Sequence, residues 1–299
     1  MLSILYHNFD FIPNTKNHFL FLFDHMKKFY YIASMEEKTT ISFANVAARY
    51  DGTPDILTDV SFNIGTGGFY FLSGASGAGK TTLLRLIYQL HKPSCGQIKL
   101  FGRITNDMTR DEITDIRQKM AIVFQEYSLL SHLSVFDNIA LPLRVRGVDE
   151  AKIKKLVTKV LDWVGLGKYA ESNPKSLSGG QQQRVSVARA IIVQPSILLA
   201  DEPTGNLDDE NATKLMELFI QMNKMFGTTI ILATHNTKLM ETYKFPVIHV
   251  ENHKVSFINK NKKIEPKNES ETKRTWRGPK PQNYFTELSK QFDDIGNQQ

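Results

Sequence analysis

Nine residues constrain this chain more than any others: Gly74-Ala75-Ser76-Gly77-Ala78-Gly79-Lys80-Thr81-Thr82, which follow Phe69-Tyr70-Phe71-Leu72 and precede Leu83-Leu84-Arg85-Leu86-Ile87. The order reads as a buried strand, an anion-binding loop and an amphipathic helix, the context that a G-x-x-x-x-G-K-[ST] pattern requires. Three glycines let the backbone curl close around an anion. Successive N–H groups and a helix N-terminus then converge on the β- and γ-phosphates of a nucleotide. Lys80 adds a point charge, and Thr81 offers a hydroxyl to Mg²⁺.

Composition bounds the class. With 299 residues, 41% hydrophobic and 23% charged, the chain has the apolar content of a globular protein, enough for one large core or two modest ones. No run reaches 18 apolar residues, so no segment is expected to cross a bilayer as a helix, and any membrane role is borrowed from a partner. Cys95 is the single cysteine. It allows no intrachain disulfide, no Cys/His spacing points to zinc, and the pattern fits a reducing, cytoplasmic setting. The net charge of +6 gathers toward the C-terminal tail, so no nucleic-acid partner is expected.

Residues 1–38 stand apart from the domain pattern. Phe19-Leu20-Phe21-Leu22-Phe23 is apolar, but Asp24, His25, Lys27 and Lys28 cut it short of a signal-peptide core. The segment reads as a disordered leader, an interfacial helix touching a membrane, or sequence upstream of the true start, with Met26 and Met35 as alternative starts. The last is preferred, because periodic patterning begins only at Ile41.

From Ile41 the chain alternates as antiparallel strands do, through Ile41-Ser42-Phe43-Ala44-Asn45-Val46 and Leu57-Thr58-Asp59-Val60-Ser61-Phe62-Asn63-Ile64. Tyr50, just before the turn between them, reads either as a platform for adenine or as an ordinary strand aromatic. Another strand is expected over Gln97-Ile98-Lys99-Leu100-Phe101-Gly102, and an exposed charged helix over 109–120. A buried strand, Ala121-Ile122-Val123-Phe124, then delivers Gln125, which reads as a metal or water contact or as a loop amide.

Residues 131–176 turn helical. Ser134 and Asp137 resemble a capping box. Ile153, Leu156, Val157, Val160, Leu161 and Val164 recur at helical spacing, with Gly165 placed as the stop, and this stripe is expected to face a core. Ser178-Gly179-Gly180-Gln181 opens the next helix, either as a second anion site or as a plain N-cap with a flexible approach. The buried strand Ile197-Leu198-Leu199-Ala200 delivers Asp201 and Glu202 at its C-terminal end, where open α/β sheets place ligands. Two adjacent carboxylates there are costly to bury unless they serve a cation or take a proton. Asp201 is placed to hold Mg²⁺, and Glu202, pointing elsewhere, to orient or deprotonate a water. A last apolar strand, Thr229-Ile230-Ile231-Leu232-Ala233, ends at Thr234-His235, with His235 either structural or at the γ-phosphate.

The phosphate loop, Gln125, Leu177-Ser178-Gly179-Gly180-Gln181, the strand ending in Asp201-Glu202, Asn206-Leu207-Asp208 and His235 occur in one order and spacing. In these the chain resembles the ABC transporter ATPase family over residues 39–258. The resemblance implies a P-loop α/β fold of ABC type: a mixed sheet core, an antiparallel β subdomain and a helical subdomain over about 131–176. It implies a homodimer sandwiching two ATP molecules, each between Lys80 and Thr81 of one copy and Ser178 and Gly180 of the other. It selects the functional readings of Tyr50, Gln125 and His235. Thr81, Gln125 and Asp201 are then the Mg²⁺ contacts, Glu202 and His235 the catalytic pair, and Gly179, Gln181 and Asp208 part of the nucleotide interface.

Within the family, Phe124-Gln125-Glu126-Tyr127-Ser128-Leu129-Leu130, Val135-Phe136-Asp137-Asn138-Ile139-Ala140-Leu141-Pro142-Leu143 and Leu199-Ala200-Asp201-Glu202-Pro203-Thr204-Gly205-Asn206-Leu207-Asp208 are similar to the group of cell-division, lipoprotein-releasing and MacB-type exporter ATPases. Tyr50-Asp51-Gly52-Thr53-Pro54-Asp55-Ile56-Leu57, Ala78-Gly79-Lys80-Thr81 and Leu100-Phe101-Gly102-Arg103 are most similar to the division branch. That branch implies an integral membrane partner of the FtsX type, a place on the cytoplasmic side of the plasma membrane, and ATP-driven dimer closure coupled to septal peptidoglycan hydrolysis. Tyr127, Leu129 and Leu130 are the candidate partner contacts. A lipoprotein-releasing or MacB-type system is the alternative within the group. From another class, a regulatory module that binds ATP without hydrolysing it is opposed by Glu202 and His235. The chain departs from the family pattern at Asn236, where many relatives carry aspartate, and in the triple glutamine 181–183. Residues 259–299 read as a disordered basic tail able to lean on anionic lipid, with Tyr284-Phe285-Thr286-Glu287-Leu288 as a short docking motif.

Overall fold

A computed structural model describes residues 39–205 and 207–258. The expectations for the leader, the basic tail and Asn206 fall outside the described residues. The chain runs β1 (Thr39–Ala48), β2 (Leu57–Gly65), β3 (Phe69–Gly74), α1 (Lys80–Ile87), β4 (Cys95–Leu100), β5 (Arg103–Ile104), α2 (Arg110–Gln118), β6 (Met120–Val123), α3 (Val135–Val145) and α4 (Glu150–Trp163). It continues through α5 (Gly179–Ile191), β7 (Ile197–Asp201), α6 (Asp209–Phe226), β8 (Thr229–Ala233), α7 (Thr237–Tyr243), β9 (Val247–Glu251) and β10 (Lys254–Ile258).

Two sheets form. One has the order β2-β1-β4-β5, with β4 antiparallel to both β1 and β5. The other has the order β10-β9-β3-β8-β7-β6 and is parallel except for β10, which returns antiparallel along β9. Strands of this second sheet are apolar on both faces because both faces are covered. Successive residues therefore enter different cores. Leu198, Ala200, Ile230 and Leu232 join a cluster with α3, α4, α5 and α6. Ile197, Leu199, Ile231 and Ala233 join the cluster formed with β1, β2 and α1.

Local signals fix most element ends. Thr109 caps α2 in a capping box with Glu112. In α4, Ile153, Leu156, Val157, Val160 and Leu161 are all buried, and Gly165, at φ 69°, ends the helix as a left-handed stop. The Ser134 side chain caps α3 by accepting from Asp137 N and donates to the Asp137 carboxylate at 2.7 Å. Hydrogen bonds from Ser134 and Arg144 hold the Asp137 carboxyl below the usual carboxylate range. A carboxyl depressed in the folded state adds stability above its unfolded value near 4 and loses it as the pH falls through the folded value. Asp137→Asn is accordingly expected to flatten the acid limb of a melting-temperature series run from about pH 5 down to about pH 2.

The structure revises four expected boundaries. The α2 helix ends at Gln118, and Met120 opens β6 instead. Phe124 lies beyond the end of β6 and is 38% exposed. Strand β4 starts at Cys95 rather than Gln97, because Gly96 lets it approach β1 at a bulge: a Cβ there would sit 2.3 Å from the Asn45 carbonyl oxygen. Finally, Thr229–Ala233 is not the last strand, since β9 inserts beside β3 and buries Val247, Ile248 and Val250.

Candidate active site

Four strands of the parallel sheet deliver their loops to one edge. Strand β3 runs into the phosphate loop, β8 into Thr234-His235, β7 ends at Asp201 with Glu202 next, and β6 is followed by Gln125. The register aligns them: Leu72 pairs with Ala233, and Ala233 with Asp201. This is the carboxyl edge at which open α/β sheets bind ligands.

The loop from Gly74 to Gly79 folds as its glycines allow. A Cβ on Gly74 would meet the Val250 carbonyl oxygen at 2.4 Å, and Gly79 takes φ 108° as the residue preceding α1. Lys80 is 8% exposed. Its ammonium donates to the Gly74 and Ala75 carbonyls at 2.9 and 3.0 Å, so the charge lies against the inner wall of the loop. One turn of backbone thus presents a cation and a helix N-terminus to the same point.

Thr81 Oγ1 donates to Asp201 Oδ2 at 2.9 Å across 120 residues of sequence. Burial raises the Asp201 carboxyl above its ordinary range, and the nearby Glu202 charge adds to this, while the Thr81 bond pulls the other way. A hydroxyl of the phosphate loop and a half-buried carboxylate within hydrogen-bond reach of it fit Mg²⁺, which takes one or two protein oxygens and completes its shell with water and phosphate. Glu202 adopts φ 48°, unusual outside glycine. Glu202 Oε2 lies 2.5 Å from His235 Nδ1, with the histidine side chain 69% exposed and the glutamate 18%. An ionised carboxylate only accepts, so in this pair Nδ1 carries the hydrogen. Asn236, the departure beside the histidine, caps α7 by accepting from Leu239 N at 3.1 Å.

Tyr50 sits beside α1. Burial pushes its phenol up, but bonds to Thr82 and Arg85 and the Arg85 charge bring it below the usual value. Ser178 does cap α5, in a capping box with Gln181, which leaves its neighbouring N–H groups at a helix N-terminus. A Cβ on Gly179 would meet the Tyr127 hydroxyl at 2.9 Å, and one on Gly180 the Asn211 amide at 3.3 Å. Asp208 caps α6, and its bonds from the Asn211 backbone and side chain hold its carboxyl low. Among the described residues no hydrogen bond or ion pair joins residues 178–181 to residues 74–82. Gln125 is exposed and borders an open cleft of about 620 Å³ with Tyr127, Ser131, Pro174, Lys175 and Gln182.

Two supporting residues escaped the sequence reading. Arg189, on α5, donates to the Ser128 and Tyr127 carbonyls at 2.8 and 3.2 Å, tying the loop after Gln125 to the helix that Ser178 opens. Asn138 is fully buried; it donates to the Leu130 and Ser134 carbonyls at 3.0 and 2.9 Å and accepts from Leu130 N at 2.8 Å. Its only signal was a polar residue on the apolar face of α3. Asn138→Leu takes away the acceptor of the part-buried Leu130 N–H and is expected to cost about 1–3 kcal/mol, the usual penalty for one polar group left unpaired. Chemical denaturation checks this, and protease cleavage concentrated within residues 125–134 would localise the damage.

Residues 57–205 match the ABC transporter family. The cell division ATP-binding protein FtsE of Streptococcus pneumoniae is 40% identical over 215 residues, which cover 72% of this chain and 93% of that protein. The chain belongs to the ABC transporter ATPase family. FtsE of Escherichia coli is 39% identical over 208 residues, 70% of this chain and 93% of its own length. Among solved structures, the dimeric ATP-binding cassette MJ0796 in a post-hydrolysis state with ADP and Pi superposes with a TM-score of 0.68 at 32% identity, covering 74% of this chain and 99% of that one. As an ABC ATPase the chain binds ATP and hydrolyses it, which removes the non-hydrolysing module from consideration. The mixed sheet, antiparallel sheet and helices are the ABC fold.

Proposed function

We propose that the chain is the Mg-ATP-hydrolysing subunit of an FtsEX-type cell-division complex. The observation that carries the reading is its identity of about 40% to FtsE of Streptococcus pneumoniae and Bacillus subtilis across 93% and 92% of those proteins. Residues 39–258 form its ATPase domain, with 131–176 as the helical subdomain.

Two copies pack head to tail around two ATP molecules. The dimeric state of the MJ0796 cassette supports this. Tyr50 stacks on adenine; the 74–82 loop and Lys80 take the phosphates; Asp208 lies at the dimer seam. Thr81, Asp201 and Gln125 hold Mg²⁺, which when bound neutralises charge on the β- and γ-oxygens. Glu202 accepts the proton of the attacking water, and His235, held beside it through Nδ1, lies at the γ-phosphate.

Closure of the dimer acts on an integral membrane partner of the FtsX type and through it on septal peptidoglycan hydrolysis, with the chain peripheral on the cytoplasmic side of the plasma membrane. No helix among the described residues is long and apolar enough to cross a membrane. Attachment runs through the FtsX-type partner, aided by contact of the basic tail with anionic lipid. No nucleic acid is involved. For the partner contact, Leu129 is a poor probe: it is half-buried and packs against the helical core, so Leu129→Asp reports folding as well as docking. Exposed Glu126 is the cleaner position.

Capture of the full chain carrying Glu202→Gln from membranes in ATP, with identification of the co-purifying integral protein, tests the assignment. An FtsX-type protein is expected, and its yield should fall in the Glu126→Arg variant. A lipoprotein-releasing or MacB-type permease in its place would overturn the division reading and leave the ATPase standing.

A further inference from the structure

The Tyr50 ring is fixed both by the last residue of the phosphate loop and by groups outside it. Its hydroxyl accepts from Arg85 Nη1 at 3.2 Å and is bonded to Thr82, and both partners lie on α1, the helix that begins in the phosphate loop. One face of the ring meets the His91 imidazole, with centroids 4.6 Å apart and planes inclined at 37°. Among the described residues no other ring meets Tyr50. His91 is anchored in turn: its Nε2 donates to the Arg49 carbonyl at 2.9 Å. Arg49 and Tyr50 are adjacent, so the segment that carries the tyrosine also carries the anchor of the ring behind it. The loop from Arg49 through Tyr50 and His91 closes on itself.

A tyrosine ring free to turn about two bonds loses that freedom when a base stacks on it, and the loss is subtracted from affinity. A ring already held at its tip and its back loses little. We infer that His91 is a positioning residue for nucleotide binding: it backs the Tyr50 ring and, with Arg85, sets the ring plane so that the opposite face receives adenine. This rests on the reading of Tyr50 as the adenine platform. The consequence is confined to the base, because the phosphates bind at residues 74–82 and not at Tyr50. His91 thereby favours ligands that carry an adenine over bare polyphosphates.

Titration calorimetry of the purified full chain with ADP and with pyrophosphate, neither of which it hydrolyses as an ATPase, separates the two halves of the ligand. Tyr50→Ala is expected to weaken ADP binding strongly. His91→Ala should raise the ADP Kd about 3- to 10-fold, the loss of one well-placed aromatic contact. His91→Phe, which keeps a ring but drops the bond to Arg49, should return the Kd to within about twofold of the parent. Pyrophosphate should bind all three variants as it binds the parent. ADP binding unchanged in His91→Ala, with Tyr50→Ala impaired, would overturn the inference alone. So would pyrophosphate affinity falling in step with ADP, or a failure of His91→Phe to rescue. If Tyr50→Ala itself binds ADP normally, the platform reading fails and takes the inference with it.

Discussion

Glu202→Gln should leave ATP binding intact and slow hydrolysis by about 10²- to 10⁴-fold, the usual contribution of a positioned general base, or about 3–5 kcal/mol of barrier. Glutamine has the same length and shape, so the turn at φ 48° and the approach to His235 survive. What it loses is the capacity to take a proton from water. An ATP-bound dimer should therefore accumulate, visible as a doubling of mass when ATP is present. Lys80→Ala differs in kind. It removes a nearly buried cation whose two bonds line the phosphate loop, and it should abolish ATP binding and turnover together. Phosphate release set against nucleotide affinity distinguishes the two. Parental turnover in Glu202→Gln would refute the assigned base.

Phe219→Ala should cost about 3–5 kcal/mol, the usual penalty for emptying a fully buried aromatic position. Phe219 is 0% exposed in α6, the helix that packs on α5 and β8 and that Asp208 caps. Those neighbours are backbone-braced by strands and helices and can collapse only partly into the gap, so transfer and cavity terms add. Against a total stability of about 5–15 kcal/mol, the loss consumes a large part of the fold's margin. The expected result is a lower urea midpoint at an unchanged slope. Val145→Ala, at a position 80% exposed at the end of α3, is the matched control and should stay within about 0.5 kcal/mol of the parent.

Sequence reading failed at β9 and β10 for a physical reason. Val247-Ile248-His249-Val250-Glu251 is short and broken by a histidine, and nothing local says that it will be buried. Burial comes from β3, which pairs with it and places His249 Nδ1 2.8 Å from Ser73 Oγ. Phe124 failed in the opposite sense: it extends an apolar run, but β7 pairs with β6 only as far as Val123.

The sequence by itself determined whatever depends on a few neighbouring residues. The loop after β3, the caps at Thr109, Ser134 and Ser178, the stop at Gly165 and the buried stripe of α4 are set by backbone sterics and by hydrogen bonds reaching three or four residues along the chain. Only the tertiary structure decided which distant groups meet. Thr81 reaches Asp201, Glu202 reaches His235, and Tyr50 lies between Arg85 and His91. These pairings follow from strand order and register, and those are chosen by how both faces of the central sheet bury their apolar residues, a property of the assembled cores that no local segment carries.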